Sequence, residues 1–187
     1  MPTKFLKYAG IAASVVLIAL GVGSLVIGYD GRDRVRTELG REQIVGTPDS
    51  KIPNQLVNTG SEAREFAAVM RKHTLEATGG KTYAQMERYI DESGKPTNDE
   101  AAAATDPKSG EPVANPARNI WVTETALTTA LNTAYFAEST ATFVMVIGGA
   151  LLLAGIGFLV LTLRVLRQPA TEPRKAGQPA GAAATAS

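Results

Sequence analysis

Two uncharged apolar stretches, Tyr8 to Tyr29 and Ser139 to Leu163, bracket the rest of this 187-residue chain and restrict it to few architectures. Each supplies the ~20 residues that a helix rising ~1.5 Å per residue needs to cross ~30 Å of hydrocarbon. Only helices and closed barrels satisfy every backbone group inside lipid, so the pattern predicts two helical spans. Tyr8 and Tyr29 stand at the two ends of the first stretch, where amphipathic rings favour the headgroup layer. A secretory signal also places lysines before an apolar core, as Lys4 and Lys7 are placed here, but that core is only ~7–15 residues long and closes in a small-x-small site. The first stretch instead runs through Leu25, Val26 and Ile27 into Gly28, Tyr29 and Asp30, which favours a retained span.

Orientation follows from the basic residues of the tails. Lys4 and Lys7 precede the first span, and Arg164, Arg167, Arg174 and Lys175 follow the second, an excess that holds both termini in the cytoplasm. Arg32, Arg34, Arg36 and Arg41 lie just past the first span on the opposite side. They alternate with Asp30, Asp33, Glu38 and Glu42, in a segment too long for the charge rule to count fully. The expected layout is a multi-pass cell-membrane protein. Residues 1–7 form a cytoplasmic N-terminus, 8–29 and 139–163 the two spans, 30–138 an extracytoplasmic segment, and 164–187 a disordered cytoplasmic tail of Pro, Ala, Gly and Thr.

The intervening segment holds 13 of the 19 basic and 17 of the 18 acidic residues, a net of −4, so a near-neutral total hides an acidic outer part between basic inner ends. Nucleic-acid binding calls for a clustered basic face and gains no support. No cysteine is present, which removes disulfides, thiolate metal sites and thiol nucleophiles together. His73 is the single histidine, so a site with two or three imidazoles cannot be assembled within one subunit. Neither span carries an ionisable residue, which leaves a proton relay or ion path without material. No cofactor or metal is expected.

Between the spans the pattern is helical, with no strand-like alternation. Thr59 and Glu62 form a capping box, and Ala63, Phe66, Ala67, Met70, Thr74 and Ala77 recur along one helical face. Thr78, Gly79 and Gly80 end that helix. Thr82 and Gln85 start a short second one carrying Tyr83, Met86 and Tyr89, so the two are expected to form a helical hairpin. From about 91 to 117 the chain is rich in Asp, Glu, Pro, Gly and Ala with almost no large apolar side chain, the composition of a flexible linker. Asn115 and Pro116 then introduce a helix that continues through Trp121 into the second span. A similar outward extension is expected for 32–44 after the first span. The fold class is an all-α membrane protein: two transmembrane helices extended outward, with a helical hairpin packed on their stalks.

Small residues mark candidate helix contacts within the spans. Ala9 with Ala13, Ala19 with Gly23, Ser24 with Gly28 and Ala150 with Ala154 have small-x-x-x-small spacing, and Gly148, Gly149, Gly155 and Gly157 thin the second helix further. The run Gly79-Gly80-Lys81-Thr82 resembles the end of a phosphate-binding loop, but Leu75 stands where that motif requires glycine. A helix end followed by a helix start explains it better. Ser61 and Ser139 have no candidate base beside them and suit boundary positions better than nucleophilic roles. Trp121 and Tyr135, with Tyr83 and His73, form a candidate interaction face, or else core and interface anchors.

The run His73, Leu75 to Thr78, Gly80 to Tyr83, the later run Ala117 to Asn119 and Trp121 to Leu127, and then Asn132, Tyr135 and Ala137 together resemble a group of small actinobacterial two-span membrane proteins. Such proteins often carry the label "aromatic ring-opening dioxygenase LigA". The resemblance implies an integral membrane protein. The enzymatic label is incompatible with this composition, because iron held by two histidines and a carboxylate needs one more histidine than the chain has. The expectation is a non-enzymatic membrane protein, an accessory or structural subunit that works through contacts with the lipid bilayer and with protein partners or further copies of itself. The alternative is an extracytoplasmic sensor or lipid-binding module.

Overall fold

The computed structural model describes residues 2–165; of the expected cytoplasmic tail, 166–187, with Arg167, Arg174 and Lys175, lies outside them. The described chain is mostly helical, with three α-helices: α1 (Pro2–Arg41), α2 (Gly60–Ala77) and α3 (Ala117–Val165). At ~1.5 Å per residue α1 is ~60 Å long and α3 ~73 Å. Both therefore run well past the apolar stretches, as the sequence led one to expect. Each contains a window long and apolar enough to cross a membrane, and only 11% of each window is buried.

α1 and α3 pack against each other as an antiparallel pair along most of α1. Gly10 lies against Thr162, Gly21 against Leu152 and Gly28 against Ala141, so the beginning of α1 and the end of α3 sit at the same end of the molecule. Small residues set this seam. Ser14, Gly21 and Gly28 are buried at seven-residue intervals on α1, facing Ala141, Gly148 and Gly155, also seven apart, on α3. A seven-residue repeat keeps one stripe of each helix turned toward the partner. The approach is too close for side chains: a Cβ on Gly21 would lie 2.6 Å from the Leu152 nitrogen, and one on Gly155 2.9 Å from the Ile18 nitrogen.

α2 begins as its sequence dictates. The Thr59 hydroxyl accepts from the Glu62 N–H at 3.3 Å, and the Glu62 carboxylate accepts from the Thr59 N–H at 2.9 Å. The helix lays Ala63, Phe66 and Ala67 on Leu39 of α1 and Leu131 of α3, and this small core is completed by Ile52 and Val57. Those two arrive from the loop between α1 and α2, which folds back on itself: the Val57 N–H reaches Ile44 O at 2.8 Å and the Gly46 N–H reaches Gln55 O at 2.9 Å. Beyond Thr78, Gly79 and Gly80 take φ of +63° and +78°, and the Gly80 N–H returns to Leu75 O at 2.7 Å. Glycine closes a helix this way without a Cβ penalty.

Two expectations need correction. The second helix of the hairpin is a single 3-10 turn, Tyr83–Gln85, after which the chain is extended. The stretch 91–117, read as a linker, carries backbone pairing. β1 (Tyr89–Ile90) pairs antiparallel with β2 (Pro96–Thr97), and isolated bridges join Tyr89 to Ala114, Asp91 to Ala103 and Thr105 to Pro112. Turns rather than apolar burial organise this part. The Asp91 carboxylate accepts from the N–H groups of Ser93 and Lys95 at 2.8 and 2.9 Å, that of Asp106 accepts from Lys108 N–H at 2.7 Å, and Gly94 and Gly110 supply the left-handed positions. Buried Asn115 fastens the end: its amide donates to Glu87 O at 2.9 Å, and its carbonyl accepts the Ala117 N–H at 3.1 Å as α3 begins.

Candidate functional site at the Glu138 junction

The three helices meet at one carboxylate. Glu138 precedes the second apolar stretch directly, and it is 8% exposed. Its Oε1 accepts from Arg32 Nε at 3.0 Å and Arg36 Nε at 2.9 Å, one turn apart on α1. Its Oε2 accepts from the Gly60 N–H, the first backbone donor of α2. Gly60 is small for a reason, since a Cβ there would lie 2.8 Å from the Tyr135 Cα. Burial alone pushes the Glu138 carboxyl up; the Gly60 N–H and the Arg36 and Arg32 guanidiniums outweigh it and hold the group below its ordinary value. The positive end of the α2 dipole acts in the same direction.

Around this junction lies a recess of about 470 Å³ lined by Arg32, Arg36, Ser61, Tyr135, Ser139 and Thr142. The side chains of Arg32 and Arg36 are 41% and 42% exposed, and only their Nε atoms are hydrogen-bonded among the described residues. A second recess of about 500 Å³ shares Ser61 and Tyr135 with it and adds Arg64, which lies 4.9 Å above the Tyr135 ring and donates to its hydroxyl at 3.1 Å. A third cavity, about 450 Å³ and lined mainly by Val35, Leu39, Ile44, Leu127, Leu131 and Ala134, is an apolar groove between α1 and α3.

The proposed interaction residues are distributed over four separate contacts. Trp121 is 3% exposed, and its indole N–H is shared between Thr78 Oγ1 at 3.3 Å and Lys81 O at 3.0 Å, under the Arg71 guanidinium. The Thr78–Thr82 turn and the Trp121 run, the two motifs behind the family resemblance, thus fold onto each other. Tyr83 is stacked by Arg118 at 4.0 Å, Tyr135 is held by Arg64, and His73 Nε2 lies 2.9 Å from Asp49 Oδ2. Asp49 also accepts from Lys72 at 2.8 Å, and the hydrogen bonds of Lys72, Thr47 and His73 hold its carboxyl well below the usual range.

Of the packing candidates, Gly148 and Gly155 lie on the α1–α3 seam, with Ser24 and Gly28 opposite. A Cβ on Gly149 would meet nothing within 4 Å, and Ala150 and Ala154 are exposed. Sequence reasoning missed Ser14, Gly21, Glu138 and the Arg32–Arg36 pair. The seven-residue spacing of the small residues was the available signal for the first two. For the junction it was a lone acid at one apolar boundary facing arginines four residues apart at the other.

No family model, curated protein or solved structure matches the chain.

Proposed function

We propose that this chain is an integral membrane protein, spanning the bilayer twice with both termini cytoplasmic, which acts by contact as a non-enzymatic accessory or structural subunit of a membrane assembly. The observation that carries the reading is the exposure of the apolar windows. Core helices of a water-soluble protein bury their apolar residues, whereas here Phe143, Val146, Leu153 and Phe158 of α3, and Val15, Leu20, Val26 and Ile27 of α1, face away from the pair. Lipid or another polypeptide has to cover them. The antiparallel seam supports a retained first span, since α1 is packed on α3 along its apolar length instead of ending in a cleavage site. It also supports termini on one side of the bilayer.

Contact is favoured as the mode of action by two features: an apolar groove near the ends of α1 and α3 away from the termini, and seam-free small residues such as Gly149 and Ala150 that leave the outer face of α3 open to another helix. A binding module centred on Trp121 is less well supported, because that indole is buried and its N–H is already engaged. Purification in mild detergent followed by mass spectrometry tests the proposal. Stoichiometric partners or a homo-oligomer are the expected result, and a lone monomer at native expression would contradict it.

A further inference from the structure

We propose that the Arg32–Arg36 recess binds the phosphate of an anionic lipid headgroup, an inference that rests on the membrane reading above. Two positive groups converge there, Arg32 and Arg36, while Arg64 lines the neighbouring recess and is engaged with Tyr135. Glu138 contributes one negative charge, spent on Nε of both α1 arginines and on the Gly60 N–H. The surplus is positive. The Nη edges of Arg32 and Arg36 remain without partners among the described residues, and paired guanidinium edges suit phosphate oxygens. Ser61 and Ser139 add hydroxyl donors that make no hydrogen bond among the described residues, whereas the Thr142 hydroxyl already donates to Glu138 O at 2.9 Å.

Position selects the source of the phosphate. Arg32 is three residues beyond Tyr29, the end of the first apolar stretch, while Ser139 and Thr142 open the second. The recess thus straddles the level where apolar surface gives way to polar surface, which is where lipid headgroups lie. Exposed Tyr29, Phe136 and Phe143 occupy the same level. A volume of about 470 Å³ leaves room for a phosphodiester and part of its substituent.

The test uses the full chain in nanodiscs or mild detergent, with bound lipid counted by native mass spectrometry and stability read by thermal melting. Phosphatidylglycerol, phosphatidylcholine and inorganic phosphate are the probes. Two engaged arginines predict a preference for phosphatidylglycerol over phosphatidylcholine of about ten- to thirtyfold, weakened by salt. Arg36→Gln would lower it but also loosens Glu138. Ser61→Asp is the cleaner variant: a carboxylate in the first turn of α2 suits that helix end, so the protein stays folded while the recess gains a repelling charge. The expected result is unchanged or higher melting with the lipid preference lost. Retention of the preference in Ser61→Asp, or its absence from the wild type, overturns the proposal. Inorganic phosphate bound as tightly as phosphatidylglycerol overturns the assignment to lipid. Failure of the protein to enter bilayers at all would instead defeat the membrane reading, and the recess proposal with it.

Discussion

Gly21 and Gly148 face each other across the helix pair so closely that a Cβ on Gly21 would lie 2.8 Å from the Gly148 carbonyl oxygen, and one on Gly148 would lie 2.9 Å from that of Gly21. In the proposed bilayer setting, where lipid supplies no hydrophobic driving force between helices, backbone approach of this kind would hold the pair together. Gly148→Leu is therefore expected to cost at least ~1–3 kcal/mol through overpacking and to lower the melting temperature in detergent. Gly149→Leu, one residue away where a Cβ meets nothing within 4 Å, is the control and should leave the melting of the isolated protein unchanged. Equal effects of the two changes would contradict the seam.

Glu138 ties three helices, and its removal frees two guanidiniums and strands a helix-initiating N–H. Glu138→Ala should destabilise by ~1–3 kcal/mol, because the Gly60 N–H is left unpaired while the half-exposed guanidiniums of Arg32 and Arg36 are taken up by water. Denaturation followed by circular dichroism measures it, with Glu42→Ala at an exposed position as the neutral comparison.

The acid response of that junction has a definite sign. The folded-state pKa of Glu138 is depressed below the ordinary 4.5, so its contribution is fully present above about that pH and is lost as pH falls through the lower folded value. The stability gap between wild type and Glu138→Gln should be flat from pH 5 to 8 and shrink below 4.5. A gap that widens in acid would contradict the geometry.

The single tryptophan reports on the turn between α2 and the 3-10 segment. With the indole 3% exposed, emission should be blue-shifted and poorly quenched by aqueous iodide. Trp121→Phe leaves Lys81 O without the indole donor and should cost about 1–3 kcal/mol. Ready quenching in the folded protein would place the ring elsewhere.

The long helices were legible because length and lack of charge are sufficient signals, and so were the Thr59–Glu62 box and the start of α3 after Asn115, which are local chemistry. The seam was half legible. Of the candidates, Gly148 and Gly155 and the four-residue pair Ser24 and Gly28 lie on the seam, whereas Ala150 and Ala154 are exposed, because the seam repeats every seven residues. The stretch 91–117 looked structureless because its order rests on Asp91 and Asp106 capping their own turns, not on apolar burial. Glu138 was passed over because a boundary acid reads as solvated until the tertiary fold brings Arg32, Arg36 and Gly60 around it.

The proposed double span is tested most directly by cysteine labelling in intact cells, a clean experiment in a chain with no native thiol. Thr3→Cys and Asn98→Cys are treated with a membrane-impermeant maleimide before and after permeabilisation, alongside alkaline carbonate washing of the vesicles. The account predicts that the protein stays in the membrane pellet, that the Asn98→Cys thiol reacts at once, and that the Thr3→Cys thiol reacts only after permeabilisation. Release into the carbonate supernatant, or immediate labelling of Thr3→Cys, would contradict it.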